Sequence, residues 1–303
     1  MGGQGRIFVV LFFILRVPDV LGQVLFDSTK VRVQVPDYPK RIVALTPALA
    51  ELSADFLGDQ LDRLVGVAEW SEFPAALKKI ESIGPYHQFN LEKVVALKPD
   101  LILASTDGNP KERVLHLREL GLPVLVTQSD TLAEIEDSLL LVAQSLGKFE
   151  LGRQRVKQFR LGLQKLTQAA QHRSHPRVLL QLGAESLIAV GGRSFLNDCL
   201  QRLGAENIYG DLDVPYPRPS FEDAAIRNPE VILLISVKED PRKYDEMKKK
   251  WDRFKSVSAV KKGKVSIFNS DELLRPGSRV LSGLFKLDQA IFGQESDVEQ
   301  KTK

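Results

Sequence analysis

The stretch FNLEKVVALKPDLILA, residues 89–104, contains a short capped helix, a Lys-Pro-Asp break and an apolar strand. Asn90 stands where an N-cap belongs, and Glu92 falls in the first turn, where the helix dipole favours an anion. A degraded copy returns at residues 219–235 as PSFEDAAIRNPEVILLI. Ser220 takes the capping place, Glu222 answers Glu92, Pro229 answers Pro99 and Glu230 answers Asp100. One corner built twice in one chain is an internal duplication, and it sets the expected architecture.

Outward from the first corner, strands alternate with helices. RIVALT (41–46) and LVGVA (64–68) read as buried strands, with ALAELSADFLG (48–58) a helix between them that stops at a glycine. ERVLHLRELG (112–121) reads as a helix and PVLVT (123–127) as a strand. Around the second corner RVLLQL (177–182) mirrors RIVALT. SFLNDCLQRLG (194–204) is a helix, KVSIFN (264–269) a strand and SRVLSGLFKLDQAIFG (278–293) a closing helix. Such alternation calls for parallel sheets covered by helices. Between the blocks, residues 131–172 hold no proline and space Val156, Phe159, Leu163 and Leu166 three or four apart, as one long amphipathic helix or two in succession.

The expected fold is therefore α/β, with two Rossmann-like lobes of parallel sheet joined by one long α-helix and a ligand cleft between the lobes. Boundaries follow at 23–146 for the first lobe, 147–174 for the joining helix, 175–293 for the second lobe and 294–303 for a flexible polar tail. A single long helix resists bending more than crossing strands do, so lobe closure should be small.

The first 22 residues read as a signal peptide. Arg6 precedes the apolar run IFVVLFFIL (7–15), too short to span a bilayer, and VLG (20–22) offers a cut before Gln23. An uncleaved anchor is the alternative. The chain should then act as a soluble monomer in the periplasm.

Among 303 residues, 43% are hydrophobic and 27% charged, an ordinary globular balance, and a net charge of +3 gives no reason to expect nucleic acid as a partner. KYDEMKKKWDRFK (243–255) reads as the solvated face of a short helix. Cys199 is the one cysteine, so no intramolecular disulfide and no thiolate cluster can form, and it reads as a small core residue. No catalytic constellation is visible: no nucleophile elbow, no phosphate loop, no HExxH. The four histidines (87, 116, 172, 175) lie on different elements, which argues against a metal site, although His87 sits beside aromatic residues. Aromatic residues do gather in the loops after strands. They are Trp70 and Phe73, Tyr86 and Phe89, and in the second half Tyr209, Tyr216 and Phe221. Open α/β sheets bind ligands there, so a large, flat, partly apolar ligand stacked between lobes is indicated.

RIVALTPALAELSADFLG, the corner at 89–104 and the block RVLLQLG through EVILLI together resemble the cobalamin-binding proteins of ABC importers. More broadly they are similar to the helix-linked two-lobe substrate-binding proteins, which include siderophore and haem binders. The resemblance covers about residues 40–293. It implies a periplasmic protein, not an enzyme, that captures cobalamin (vitamin B12 or a related corrinoid) as transported ligand. A ferric siderophore or haem is the alternative cargo, and an enzyme on the same duplicated scaffold a more distant one. The implied partner is an ABC permease dimer of the inner membrane, whose arginine pockets Glu92 and Glu222 would engage. The implied ligand contacts are Trp70, Tyr86 and Tyr216 for the corrin faces and Asp271 and Arg275 for its periphery, with further contacts from STDGN (105–109). Two departures from the family pattern are the missing cysteine pair and Ile188 in place of an aromatic contact.

Overall fold

The computed structural model describes residues 22–182, 186–236 and 241–293; residues 1–21 of the expected signal peptide and the tail 294–303 lie outside them. The described chain opens with a hairpin that the strand reading did not include, β1 (Gly22–Phe26) and β2 (Arg32–Pro36), paired antiparallel. Its turn is held by the Asp27 carboxylate, which accepts from the amides of Thr29 (2.9 Å) and Val31 (3.0 Å).

The first lobe comprises β3 (Ile42–Ala44), α1 (Pro47–Leu57), β4 (Leu64–Val67), α2 (Leu91–Ala96), β5 (Leu101–Ser105), α3 (Lys111–Glu119), β6 (Val124–Thr127) and α4 (Leu132–Ser145). Its sheet runs β4-β3-β5-β6, parallel throughout. Every residue of β3, β5 and β6 is buried, as strands covered by helices on both faces must be. Next comes α5 (Phe149–Ala170), separated from α4 by Gly147 at φ 74°, so the 131–172 segment is two helices. Gly147 is required there: only a residue without a side chain takes that conformation freely, and an added Cβ would lie 3.0 Å from the Asp37 carbonyl oxygen.

The second lobe comprises β7 (Arg177–Leu182), β8 (Ile188–Ala189), α6 (Phe195–Arg202), β9 (Glu206–Asn207), α7 (Phe221–Ile226), β10 (Val231–Ser236), α8 (Pro241–Trp251), α9 (Ser258–Lys261), β11 (Val265–Asn269), α10 (Asp271–Leu274) and α11 (Val280–Phe292). Its sheet order is β11-β10-β7-β8, with β9 pairing β7; only β8 is antiparallel. Helix α8 is more than a solvated face, because it buries Tyr244, Met247 and Trp251, and the Trp251 indole donates to the buried Gln181 carbonyl (3.0 Å). Cys199 is fully buried in α6.

The two corners superimpose in their chemistry. Asn90 accepts from the Lys93 amide (2.9 Å) and Ser220 from the Asp223 amide (3.0 Å), each capping its helix. The residue before each proline turns the chain at positive φ, Lys98 at 48° and Asn228 at 46°. The acid after the proline then closes the corner on the neighbouring strand. Asp100 accepts from the amides of Lys40 and Arg41 (both 2.8 Å), and Glu230 accepts from that of Arg177 (3.2 Å).

One hydrophobic cluster spans both lobes. It takes in the hairpin, α1, α4, α5, α6 and α11 as well as one face of each sheet. Gly162 on α5 admits α11 so closely that a Cβ there would meet Leu281 at 2.4 Å. Above it, the buried Glu51 of α1 is held bidentately by Arg279 at the start of α11, tying the first lobe to the second.

Candidate functional site

A cavity of ≈ 440 Å3 lies between the lobes, and Trp70, Tyr86, Tyr216, Asp271 and Arg275 all line it. Tyr86 and Tyr216, 130 positions apart in sequence, meet there because the loops at the carboxyl ends of the two sheets face each other, the place where open α/β sheets take ligands.

Trp70 follows β4 at φ 65°, an unfavourable conformation for a residue with a bulky side chain, and leaves 47% of its surface exposed. Its ring meets that of Tyr86 edge-on, with centroids 6.3 Å apart, and Tyr86 meets His87 in the same way at 5.3 Å. Two neighbours position Tyr86. A Cβ at Gly108 (φ 120°) would lie 3.0 Å from its ring, so only glycine leaves room. The buried Asn109 donates from Nδ2 to the carbonyls of Tyr86 and Leu45 (both 2.9 Å) and accepts from the Ser105 amide (2.8 Å). Opposite, Tyr216 sits between two prolines whose carbonyls accept from the amides of Ala189 and Gly191 (both 2.9 Å). Gly191 must lack a side chain here, since a Cβ would fall 2.0 Å from the Val214 carbonyl oxygen.

Asp271 and Arg275 bracket α10, which is capped by the Ser270 hydroxyl accepting from Leu273 (3.2 Å). The Oδ1 atom of Asp271 is buried and has no hydrogen-bond partner, an arrangement that favours an N–H or O–H donor arriving from outside the chain. Arg275 makes no ion pair among the described residues. Asp107, from the STDGN loop, also lines the cavity; burial and then the charge of Asp130 raise its carboxyl pKa above the ordinary value. The Tyr216 phenol is likewise raised, first by burial, with the Ser194 hydroxyl opposing and Asp107 and Asp130 adding to the shift.

Not every aromatic residue of these loops belongs to the site. Phe89 and Tyr209 are fully buried. Phe89 and Val94 flank the α2 cap in the hydrophobic-staple positions and share one core cluster, and the Tyr209 hydroxyl donates to Asp223 (2.7 Å). Phe221 packs against Trp251 and Phe254. Phe73 lies outside the cleft, under the Arg279 guanidinium (3.8 Å), and lines a second cavity of ≈ 410 Å3 behind it. Ile188 does not reach the main cavity. Asn109 falls in the STDGN loop expected to contact the ligand, whereas the spacing of residues held no signal for Asp130 or the Glu51–Arg279 bridge, whose partners are brought together by tertiary packing.

Glu92 and Glu222 stand in the first turns of α2 and α7, both exposed and away from the cavity lining. Among the described residues, no cluster of three or more His, Cys, Asp or Glu could hold a metal ion, and no helix is long and apolar enough to cross a membrane.

Residues 42–272 match the family model described as periplasmic binding protein, more than two thirds of the chain. The chain belongs to that family. As a member of a substrate-binding family, it is to be compared with other binding proteins rather than with enzymes. The vitamin B12-binding protein of Vibrio cholerae serotype O1 is 31% identical over 246 residues, 81% of this chain and 86% of that protein. The vitamin B12-binding protein of Yersinia pestis is 33% identical over 196 residues, 64% of this chain and 69% of that one. Among solved structures, the periplasmic vitamin B12 binding protein BtuF of Vibrio cholerae aligns with a TM-score of 0.74 at 29% identity, covering 84% of this chain and 96% of its own. The periplasmic haem-binding protein RhuT of Roseiflexus sp. RS-1 reaches 0.73 at 21% identity over 84% and 98%, a likeness of fold alone.

Proposed function

We propose that this binding protein captures a corrinoid, cobalamin above all, in the interlobe cleft and delivers it to an ABC permease of the inner membrane. The observation that carries the reading is the convergence of Trp70, Tyr86, Tyr216, Asp271 and Arg275 on one cavity. Aromatic faces suit a flat macrocycle, and the unpartnered Asp271 oxygen suits one of the amide N–H groups at a corrin's edge. The cavity is open to solvent past Trp70 and Tyr216, so a ligand larger than its volume can project outwards. The vitamin B12-binding relatives support the same cargo. Haem fits less well, because its two carboxylates would enter a cleft where Asp107 and Asp271 face the single guanidinium of Arg275. Residues 1–22 act as the export signal, the periplasm is the place of work, and Glu92 and Glu222 engage arginines of the permease.

Titration of the purified mature chain with cyanocobalamin by calorimetry tests the cargo, with hemin as the comparison. Binding tighter than hemin is expected. A dissociation constant weaker than roughly 100 μM for cyanocobalamin, about 5.5 kcal/mol of affinity, would sink the corrinoid reading.

A further inference from the structure

A smaller cavity of ≈ 200 Å3 branches from the cleft, sharing Asp107, Ser129 and Tyr216 with it. The first lobe contributes two carboxylates to this branch, Asp107 and Asp130. Burial first, and then the charge of Asp130, raise the Asp107 carboxyl above its ordinary pKa. Asp130 is steadied by the Gln128 side-chain amide (3.1 Å). The one guanidinium on the wall, Arg193 of the second lobe, is largely exposed and turns toward Asp213 at 3.8 Å, so two carboxylates face a single guanidinium and the lining remains acidic.

Ser129 gives a second, independent sign that the branch receives something. Only 7% of its surface is exposed, and its hydroxyl makes no hydrogen bond among the described residues. The surface it keeps lines both the branch and the main cleft. A hydroxyl left unpaired on a cavity wall is free to donate to a group seated there. Two carboxylates facing one small space call for a group with two N–H donors and no negative charge. A primary amide has that chemistry: each N–H can serve one carboxylate as a charge-assisted hydrogen bond, while its carbonyl accepts from the Ser129 hydroxyl.

We infer that this branch, walled by Asp107, Ser129 and Asp130, receives a primary-amide arm of the bound macrocycle and thereby rejects ligands whose arm ends in a carboxylate. The inference rests on the corrinoid reading and refines it to a ligand class, an amide-edged macrocycle rather than an acid-edged one. A carboxylate arm would place a third negative charge in the branch and leave no proton for either aspartate.

The test uses cyanocobalamin and its separated monocarboxylic acids, in which one peripheral amide has been hydrolysed, titrated calorimetrically into the wild type and into D107N/D130N. The wild type should bind at least one monoacid about tenfold or more weaker than cyanocobalamin, equivalent to about 1.4 kcal/mol. In the double variant the two affinities should move in opposite directions, with cyanocobalamin weakening and that monoacid tightening. A merely structural loss weakens both together, and the single variant D107N should show the same crossing to a smaller degree. Equal wild-type binding of all the monoacids and cyanocobalamin overturns the inference and leaves the corrinoid reading standing. A monoacid preference unchanged in the variants has the same consequence. Failure of the wild type to bind cyanocobalamin at all overturns the corrinoid reading, and the inference falls with it.

Discussion

The two corners, 89–104 and 219–235, follow one plan with unequal materials. In the first, the left-handed residue is Lys98, the closing acid makes two hydrogen bonds and the first-turn glutamate has no ion-pair partner among the described residues. In the second, the left-handed residue is Asn228, whose side chain also accepts from the Ser258 amide (2.8 Å). The closing acid there accepts one backbone hydrogen bond and pairs with Lys262 at 3.6 Å, and Glu222 has Arg253 at 3.6 Å. The duplication has preserved the backbone path while each lobe re-solved the local energetics. What stays common to both is the path, the capped helix start, the closure of an acid on backbone amides and the exposed carboxylate; what differs is the number and the partners of the bonds around them.

The largest effect should come from breaking the shared carboxylates. Glu92→Ala and Glu222→Ala should each reduce uptake by cells relying on this protein to near background, while calorimetric ligand affinity stays as in the wild type. A drop in ligand affinity instead would show that these carboxylates serve the cleft and not a permease. The asymmetry sharpens this prediction. Because Arg253 competes for Glu222, Arg253→Ala should strengthen association with permease-containing vesicles by at most about fivefold, the scale of an exposed ion pair of 0–1 kcal/mol. An equal gain in an E222A background would show that Arg253 acts by another route.

The closing acids should differ next. Asp100→Ala leaves two amides without their acceptor and should cost about 2–3 kcal/mol in urea unfolding; Glu230→Ala leaves one and should cost about 1 kcal/mol. Equal costs would mean that the corners do not depend on these bonds. The smallest effects should carry opposite signs. Lys98→Gly relieves an unfavourable φ and should be neutral to stabilising by up to about 1 kcal/mol, whereas Asn228→Gly loses the bond to Ser258 and should destabilise by about 1 kcal/mol. The same sign at both positions would break the comparison.

These residues also mark how far the sequence could be read. Both corners, the strand alternation and the separation of the lobes by α5 were legible, because capping residues, prolines and apolar periodicity act over a few neighbouring positions. The five cleft residues were legible through resemblance and through the placement of aromatic residues after strands. Phe89 could have been assigned to the core from the staple pattern with Val94; Tyr209 gave no such local sign. The hairpin β1–β2 was missed because its turn depends on a side-chain acceptor, Asp27, and not on an Asn-Gly or Gly-Gly pair. Trp70's left-handed backbone and the facing of Asp107 and Asp130 arise from loops fixed by distant partners, which no spacing rule encodes.

The bridge between Glu51 and Arg279 joins residues 228 positions apart. A chain made from its N-terminus presents α1 long before α11. Until α11 arrives, a carboxylate destined to be almost wholly buried has no counter-charge, and the apolar face beside it has no cover. The first helix of this protein is therefore among the last to be completed. Its final helix closes the shared core of both lobes at once.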